Sequence, residues 1–374
     1  MRIGINVLYL VPDDVGGTET YAKELIDELS CTKHKNDELI IYCNRENYRS
    51  FSLNSRVTAI RVPISAKIRP LRLLAEQIIL PIYALVHGLN VMFSLGYTSP
   101  WLLLCPSVVT IHDLNWHYHP ESFKPVAKFI VEWMVRISAS TASHIITDSV
   151  SSADSIRSVL KLDDKHVTPI LHGVPRTTPL TPSNIRATLV KYEVEKPYLF
   201  TVVSGLPHKN LHSLIRAFQT LHKSFPELNL VVCGLGGLSA RSNQALIKQM
   251  GLQKRIKLLG YVTTEELAAL YHSADIFVFP SAYEGFGYPV VEAMSYGTPV
   301  VSSNAFSLRE VVGSGGILVD PYDVAGYVKS ITRLLKSATL RQDLVTRGTL
   351  RASELKWEQT AQQTLAVLRR VSIV

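Results

Sequence analysis

The feature that most limits what this chain can fold into is an alternation that runs along almost its whole length and restarts once. Short apolar, β-branched runs alternate with longer amphipathic stretches, the pattern of parallel sheets covered by helices. In the first half strands are predicted at 2–10, 38–43, 57–62, 90–93, 108–111, 144–148 and 167–171, with helices at 18–30, 70–87, 123–140 and 150–160. Residues 173–197 carry Pro175, Pro179, Pro182 and Pro197 and hold no sustained periodicity beyond a short helix near 184–191, which marks a connection. The alternation then resumes, with strands at 198–204, 228–233, 256–260, 276–279, 299–302 and 316–319. Helices are predicted between them at 210–223, 239–250, 264–272 and 287–296, and three more near 322–335, 339–352 and 357–370 close the chain.

A chain of 374 residues exceeds the roughly 250–300 at which a single core stops growing, so two domains are expected. The fold class is α/β: two facing, doubly wound, Rossmann-like parallel-sheet domains, with ligands at the carboxyl ends of the strands. The expected boundaries are 1–178, 179–356 and a last helix over 357–374 that packs back onto the N-terminal domain. The stretch Arg2 to Leu10 runs into Asp13-Asp14 without a small-residue cleavage site, so it reads as a buried strand rather than a secretory signal. The most apolar later window, Ile78 to Val86, is about half the length that crosses a bilayer, and no transmembrane helix is expected. Cys31, Cys43, Cys105 and Cys233 form no Cys-x-x-Cys pair, which fits a reducing cytoplasm and suggests neither a zinc site nor a disulfide framework. The net charge of +8 is concentrated late: residues 179–374 carry 21 Lys and Arg against 14 Asp and Glu. A basic half suits nucleic acid, an anionic membrane or a phosphate-bearing small molecule. Basic residues interleaved with stacking aromatics are not evident, which argues against nucleic acid.

The sharpest chemical signal is Ser281-Ala282-Tyr283-Glu284-Gly285-Phe286-Gly287-Tyr288-Pro289-Val290-Val291-Glu292, directly after the strand Ile276 to Phe279. Gly285 and Gly287 allow a tight turn and Pro289 suits a first helical turn. The positive end of that helix is a natural seat for a diphosphate. Glu284 and Glu292 can accept hydrogen bonds from hydroxyls, one from a donor sugar and the other from a ribose. The plain alternative makes Glu284 a solvated loop residue and Glu292 an acid favoured by the helix dipole. A second strand–turn–helix start, Val202 to Asn210, contains Ser204, Gly205 and Lys209. A lysine there can meet a diphosphate as a point charge and stabilise a leaving nucleotide. Alone it is an ordinary surface lysine; paired with Glu284 it gains meaning.

In the first half, Gly16-Gly17 follows the first strand and opens a helix, a layout for close approach by phosphate or substrate that lacks the spacing of a dinucleotide fingerprint. A plain glycine turn is the alternative. The strand Val108 to Ile111 ends in His112-Asp113, where a histidine can point at a ligand. His117 and His119 raise a metal site by their spacing, yet no carboxylate or cysteine cluster completes it, so no metal is expected.

Gly16-Gly17, His112-Asp113, Ser204 to Asn210 and Glu284-x7-Glu292, followed by Gly297 to Val301 and Leu318 to Pro321, together resemble the signature of the retaining GT4 glycosyltransferases of the GT-B fold. The resemblance covers nearly the full chain. It implies a metal-independent hexosyltransferase that uses no cofactor, with a nucleotide-sugar donor on the C-terminal domain and an acceptor on the N-terminal one. It further implies that Lys209 and the backbone at Ser204-Gly205 contact the diphosphate, that Glu284 contacts the donor sugar, and that Glu292 binds the ribose. Gly285, Phe286 and Gly287 line the donor, Tyr261 lies by the base, Gly16 and Gly17 sit beside the phosphates and acceptor, and His112 hydrogen-bonds the sugar. Members react by front-face displacement, in which the leaving phosphate helps deprotonate the attacking hydroxyl, so Glu284 is no nucleophile. The phosphate-binding turn has Leu206 and His208 where many members carry an arginine, one cation fewer at neutral pH.

The stretch His112 to Phe123 resembles bacterial mannosyl- and rhamnosyltransferases of surface-polysaccharide assembly, such as lipopolysaccharide, which favours GDP-mannose over UDP- or dTDP-sugars. The acceptor implied is a glycan, one carried on a lipid diphosphate. Between Glu46 and Glu76 all charges are basic (Arg49, Arg56, Arg61, Lys67, Arg69, Arg72), a segment that suits an anionic membrane surface and a peripheral position on its inner face. It suits a solvated basic face over a core helix equally. Competing readings are a GT-B sugar-nucleotide epimerase and a non-catalytic nucleotide-sugar-binding protein.

Overall fold

In the computed structural model, which describes residues 1–12, 16–234 and 239–372, two parallel sheets are covered by helices. The first carries β1 (Arg2–Asn6), β2 (Glu38–Cys43), β3 (Thr58–Arg61), β4 (Val91–Ser94), β5 (Ser107–Thr110), β6 (His144–Thr147) and β7 (Val167–Pro169) in the order β3-β2-β1-β4-β5-β6-β7. Its helices are α1 (Gly17–Thr32), α2 (Tyr48–Ser52), α3 (Arg69–Val86), α4 (Asn115–Tyr118), α5 (Pro125–Thr141) and α6 (Val150–Leu160). After α7 (Pro182–Lys191), the second sheet is built from β8 (Tyr198–Val202), β9 (Asn229–Cys233), β10 (Ile256–Leu259), β11 (Ile276–Phe279), β12 (Val300–Ser303) and β13 (Gly316–Val319), ordered β10-β9-β8-β11-β12-β13. Around it lie α8 (Leu211–Ser224), α9 (Ala240–Gln249), α10 (Thr264–Ser273), α11 (Tyr288–Ser295), α12 (Leu308–Val312), α13 (Val324–Lys336) and α14 (Ala338–Glu354), and α15 (Trp357–Ser372) ends the chain. Every pairing is parallel. Strands such as Ile276-Phe277-Val278-Phe279 are apolar throughout because helices cover both faces.

The chain divides into two units, Met1–Gly173 with Lys356–Val374, and Val174–Leu355. The division falls five residues before the expected 178, and its cause is local. The Val174 N–H donates to the Leu355 carbonyl at 3.0 Å, so the two crossing segments run side by side at the edge of the second unit. A side chain on Gly173 would collide with the Trp357 backbone nitrogen at 2.3 Å, which makes this the place where chain and α15 meet. From there α15 packs on α1 within the first unit. Thr360 donates to the Leu171 carbonyl, Arg369 pairs with Asp37 at 3.0 Å, and an Arg370 guanidinium nitrogen lies 3.1 Å from His144 Nε2.

The strand expected over 2–10 ends at Asn6. Past it, side-chain amides replace the ladder: Asn47 donates to the carbonyls of Val7 and Leu10, and Asn44 to those of Leu8 and Leu10. The short helices α2, α4 and α12 were not expected; at four or five residues each they are shorter than the period that reveals a helix. Both sheets reverse strand order beside their first strand, between β1 and β4 and between β8 and β11. At such a point the chain passes from neighbouring strands to helices on opposite faces of the sheet, and the strand ends between them take ligands.

Candidate active site

Because β8 and β11 are neighbours, the loops that follow them meet, although 75 residues separate Lys209 from Glu284. After β8, Ser204 stands exposed and Gly205 is buried. Pro207–Lys209 then form one turn of 3-10 helix, closed by Asn210 in the left-handed region at φ 52°. The Asn210 amide donates to the carbonyls of Pro280 and Pro321 at 3.1 and 2.5 Å, and the Ala282 N–H donates to the His208 carbonyl at 2.7 Å. These bonds fix one loop against the other. Lys209 Nζ then lies 2.7 Å from Glu284 Oε1, with both side chains largely but incompletely covered.

The loop carrying Glu284 is held from behind. Ser303 Oγ donates to the Ser281 carbonyl, and Ser307 Oγ to the carbonyls of Glu284 and Phe286 at 2.9 and 3.1 Å. Gly287 has φ +101°, a backbone conformation that favours glycine, and a Cβ there would also press on Leu308 Cδ2 at 2.6 Å. With Gly285, Phe286 and Gly287 buried beneath it, Glu284 is the side chain of this loop left open to a ligand. The positive end of α11 begins at the same turn. Glu292, on α11, accepts a hydrogen bond from the buried Tyr271 hydroxyl at 2.8 Å through Oε2. Lost hydration raises the Glu292 carboxyl above its ordinary pKa, an effect the Tyr271 bond opposes. Tyr261, just past β10, is 80% exposed and presents its ring to solvent.

In the first unit, Gly16 (φ 58°) caps α1, and it and Gly17 are exposed with open space where a Cβ on Gly16 would project. Asp13, Asp14 and Val15, which lead into this turn, lie outside the described residues. His112 is buried, its Nδ1 sits 2.9 Å from Asp148 Oδ2, and its Nε2 sits 3.0 Å from the Leu95 carbonyl. Burial works against the imidazolium, but Asp148 and the Leu95 carbonyl outweigh it and raise the His112 pKa. On the other side of Asp148, His172 Nε2 approaches Oδ1 at 3.1 Å. Burial would raise the Asp148 carboxyl, yet the two imidazoles hold it well below the usual carboxylate range. Asp113 accepts from the Asn115 N–H and so starts α4, a local structural task.

Asp148, His172 and Tyr271 escaped the sequence reading. Asp148 follows an apolar strand just as His112 does, in Ile145-Ile146-Thr147-Asp148, so its position at a strand end was a usable signal. His172 and Tyr271 carried none. The ligand atoms of His112, Asp148 and His172 lie within 4.8 Å of one another, a spacing open to a metal ion, and hydrogen bonds within the cluster already engage the carboxylate from both sides.

Two family models match consecutive parts of the chain: Glycosyltransferase Family 4 over residues 15–177 and Glycosyl transferases group 1 over residues 185–351. The O-antigen chain mannosyltransferase B of Escherichia coli is 33% identical over 262 residues, which span 69% of this chain and 69% of that protein. This chain belongs to the GT4 family of glycosyltransferases. Another relative, the O-antigen chain mannosyltransferase RfbU of Salmonella typhimurium, is 29% identical across 62% of each chain. Among solved structures the chain is similar to HepE of Anabaena in complex with UDP and glucose, with a TM-score of 0.75 at 19% identity and 99% of each chain covered. That likeness concerns the fold, two Rossmann-like parallel-sheet units of the GT-B class. The GT4 enzyme is therefore a hexosyltransferase, and the epimerase and non-catalytic readings find no support among these relatives.

Proposed function

We propose that this GT4 enzyme transfers mannose, with retention of configuration, from GDP-mannose to a hydroxyl of a growing surface glycan carried on a lipid diphosphate. The reaction belongs to the inner face of the cell membrane, in the cytoplasm. The observation that carries the reading is the Lys209–Glu284 pair beside the positive end of α11. The ammonium turns from Glu284 to the donor diphosphate and stabilises the charge that grows on the leaving nucleotide. Glu284, released, accepts from the hydroxyls of the transferred sugar. Glu292 keeps one oxygen on Tyr271 and offers the other to the ribose. The exposed Tyr261 ring stacks on the base and Ser204-Gly205 line the phosphates; the acceptor is assigned to the first unit, where a Cβ on Gly16 would meet open space. His112 acts from its buried pair with Asp148, which fixes the orientation of its ring. The choice of mannose is supported by the names of the O-antigen relatives.

A ligand that binds only the folded state raises its melting temperature by mass action. In a panel at equal concentration, GDP-mannose is expected to raise Tm more than UDP-glucose or a dTDP-sugar, with no added divalent metal. A larger shift with a UDP- or dTDP-sugar overturns the donor assignment while leaving the enzyme class intact. The anomeric configuration of the product, read by NMR, tests retention.

A further inference from the structure

The first unit bears an apolar surface that its own core does not use. On α3, Ile68 just before the helix and Leu71, Leu74, Ile78, Ile82 and Leu85 on it are all exposed. Their spacing of three or four residues sets them on one stripe. Ala75, Leu80 and Ala84 of the same helix are buried in the core with Ile40 and Tyr42 of β2 and Met92 of β4. On α5, Val126, Phe129, Ile130 and Trp133 repeat the arrangement, with Met134, Val135 and Ala139 turned inward. The segment between β4 and β5 adds Leu102 and Leu104, 83% and 88% exposed.

These three pieces form one surface. Gln77 of α3 donates to the Ser99 carbonyl and accepts from the Trp101 N–H, the Ser99 N–H donates to Ser138 of α5, and the rings of Trp101 and Trp133 meet edge to face at 5.2 Å. A soluble protein rarely leaves so many large apolar side chains together without a partner.

The charges around it identify that partner. From Lys67 to Val86, Ser99 to Pro106 and Lys124 to Thr141 the only acids are Glu76, which is buried, and Glu132, which is paired with Arg136 at 3.0 Å. Lys67 and Arg69 border the stripe of α3, and Lys124 and Lys128 that of α5. Of the other arginines of the 47–75 segment, Arg72 lies on α3 and is half-buried, while Arg49 on α2, Arg61 at the end of β3 and Arg56, hydrogen-bonded to Cys31, lie elsewhere. A second copy of this chain, docked by two-fold symmetry, would set this basic border against itself. An anionic bilayer accepts both parts, apolar side chains below the headgroups and lysines beside the phosphates, with Trp133 at the boundary.

We infer that α3, the 99–104 segment and α5 form a docking surface for the headgroup region of an anionic bilayer. The inference deepens the lipid-linked acceptor reading by assigning the side of the protein that meets the lipid. Its test needs no substrate. The full chain is incubated with vesicles of phosphatidylcholine alone, or with phosphatidylglycerol added, and bound protein is measured by flotation. Binding is expected to the anionic vesicles, with a blue shift of tryptophan emission, and to fall with salt. The triple variant Leu74→Ser, Ile78→Ser, Phe129→Ser, altered only at exposed positions, should lose at least ten-fold in binding at unchanged Tm. Lys124→Glu with Lys128→Glu should lose roughly five-fold or more per charge.

Equal binding to both vesicles, or full binding by the triple variant, overturns the inference. So does absence of vesicle binding together with a dimer in light scattering that the triple variant abolishes, which would make a second copy the occupant. Donor hydrolysis measured in parallel keeps the two readings apart: vesicle binding without any turnover contradicts the proposed reaction only, and turnover without vesicle binding contradicts only this surface.

Discussion

The two units each bring an acid and a base into contact, and they do so in opposite settings. In the first, Asp148 lies between His112 and His172 with all three side chains buried. In the second, Lys209 and Glu284 meet at 2.7 Å where both remain partly reachable. A buried charge must be paired permanently, because losing its partner leaves it in a medium of low dielectric. A half-open pair exchanges partners cheaply, because water and a ligand can take over each bond. The difference separates a cluster closed off by burial from a pair that a ligand could reach.

Removing the carboxylate from the buried cluster breaks this contrast most severely. Asp148→Ala is expected to destabilise the first unit by about 3–5 kcal/mol, leaving two buried imidazoles without the carboxylate that both contact. Denaturant unfolding checks this; a loss below about 1 kcal/mol would mean that the cluster carries no structural load. Lys209→Ala and Glu284→Ala should behave in the reverse manner, with kcat/KM reduced about 10²–10³-fold and stability altered by no more than about 1 kcal/mol. Steady-state kinetics beside thermal melts would separate the two effects, and wild-type turnover in both variants would sink the assignment of the site.

Acid sharpens the comparison through a third residue. His144, buried at the start of β6 beside Arg370 of α15, has its pKa lowered to about 4, first by burial and then by the guanidinium. A depressed histidine contributes stability above its unfolded value of about 6.5, and that contribution drains away as pH falls toward the folded value. Between pH 7 and 5 the loss from this one site is about 2 kcal/mol, and it falls on the unit that α15 closes. His144→Gln should flatten the slope of stability against pH across that window; an unchanged slope would assign it to other histidines. The smallest effect is expected at Tyr271→Phe, which removes one hydrogen bond from Glu292. A rise in donor KM of roughly ten-fold with kcat nearly constant would follow, corresponding to about 1.4 kcal/mol of ground-state binding. A fall in kcat alone would instead put Tyr271 in the chemical step.

The loops singled out as a candidate site were legible because each followed an apolar strand: the one with Lys209 after β8, the one with Glu284 after β11 and the one with Gly16 after β1. Strand ends in a parallel sheet open toward ligands, so a polar or glycine-rich turn directly after an apolar run already declares its side of the sheet. His112 satisfied the same rule and yet turned inward. What the rule cannot contain is which strand lies next to which, and Asp148 follows β6, the neighbour of β5, so its carboxylate captures the histidine from within.

The sequence by itself determined the alternation of strand and helix, its restart after a proline-rich connection over 173–197, and the loops in which charged groups would be found. Periodicity and turn chemistry act over a few residues, and those features are local. Only the tertiary structure decided which charges met, because strand order brings together groups that lie 36 and 75 residues apart. It alone decided how far each pair was removed from water, since burial depends on every element packed around a side chain and not on that side chain's neighbours in the chain.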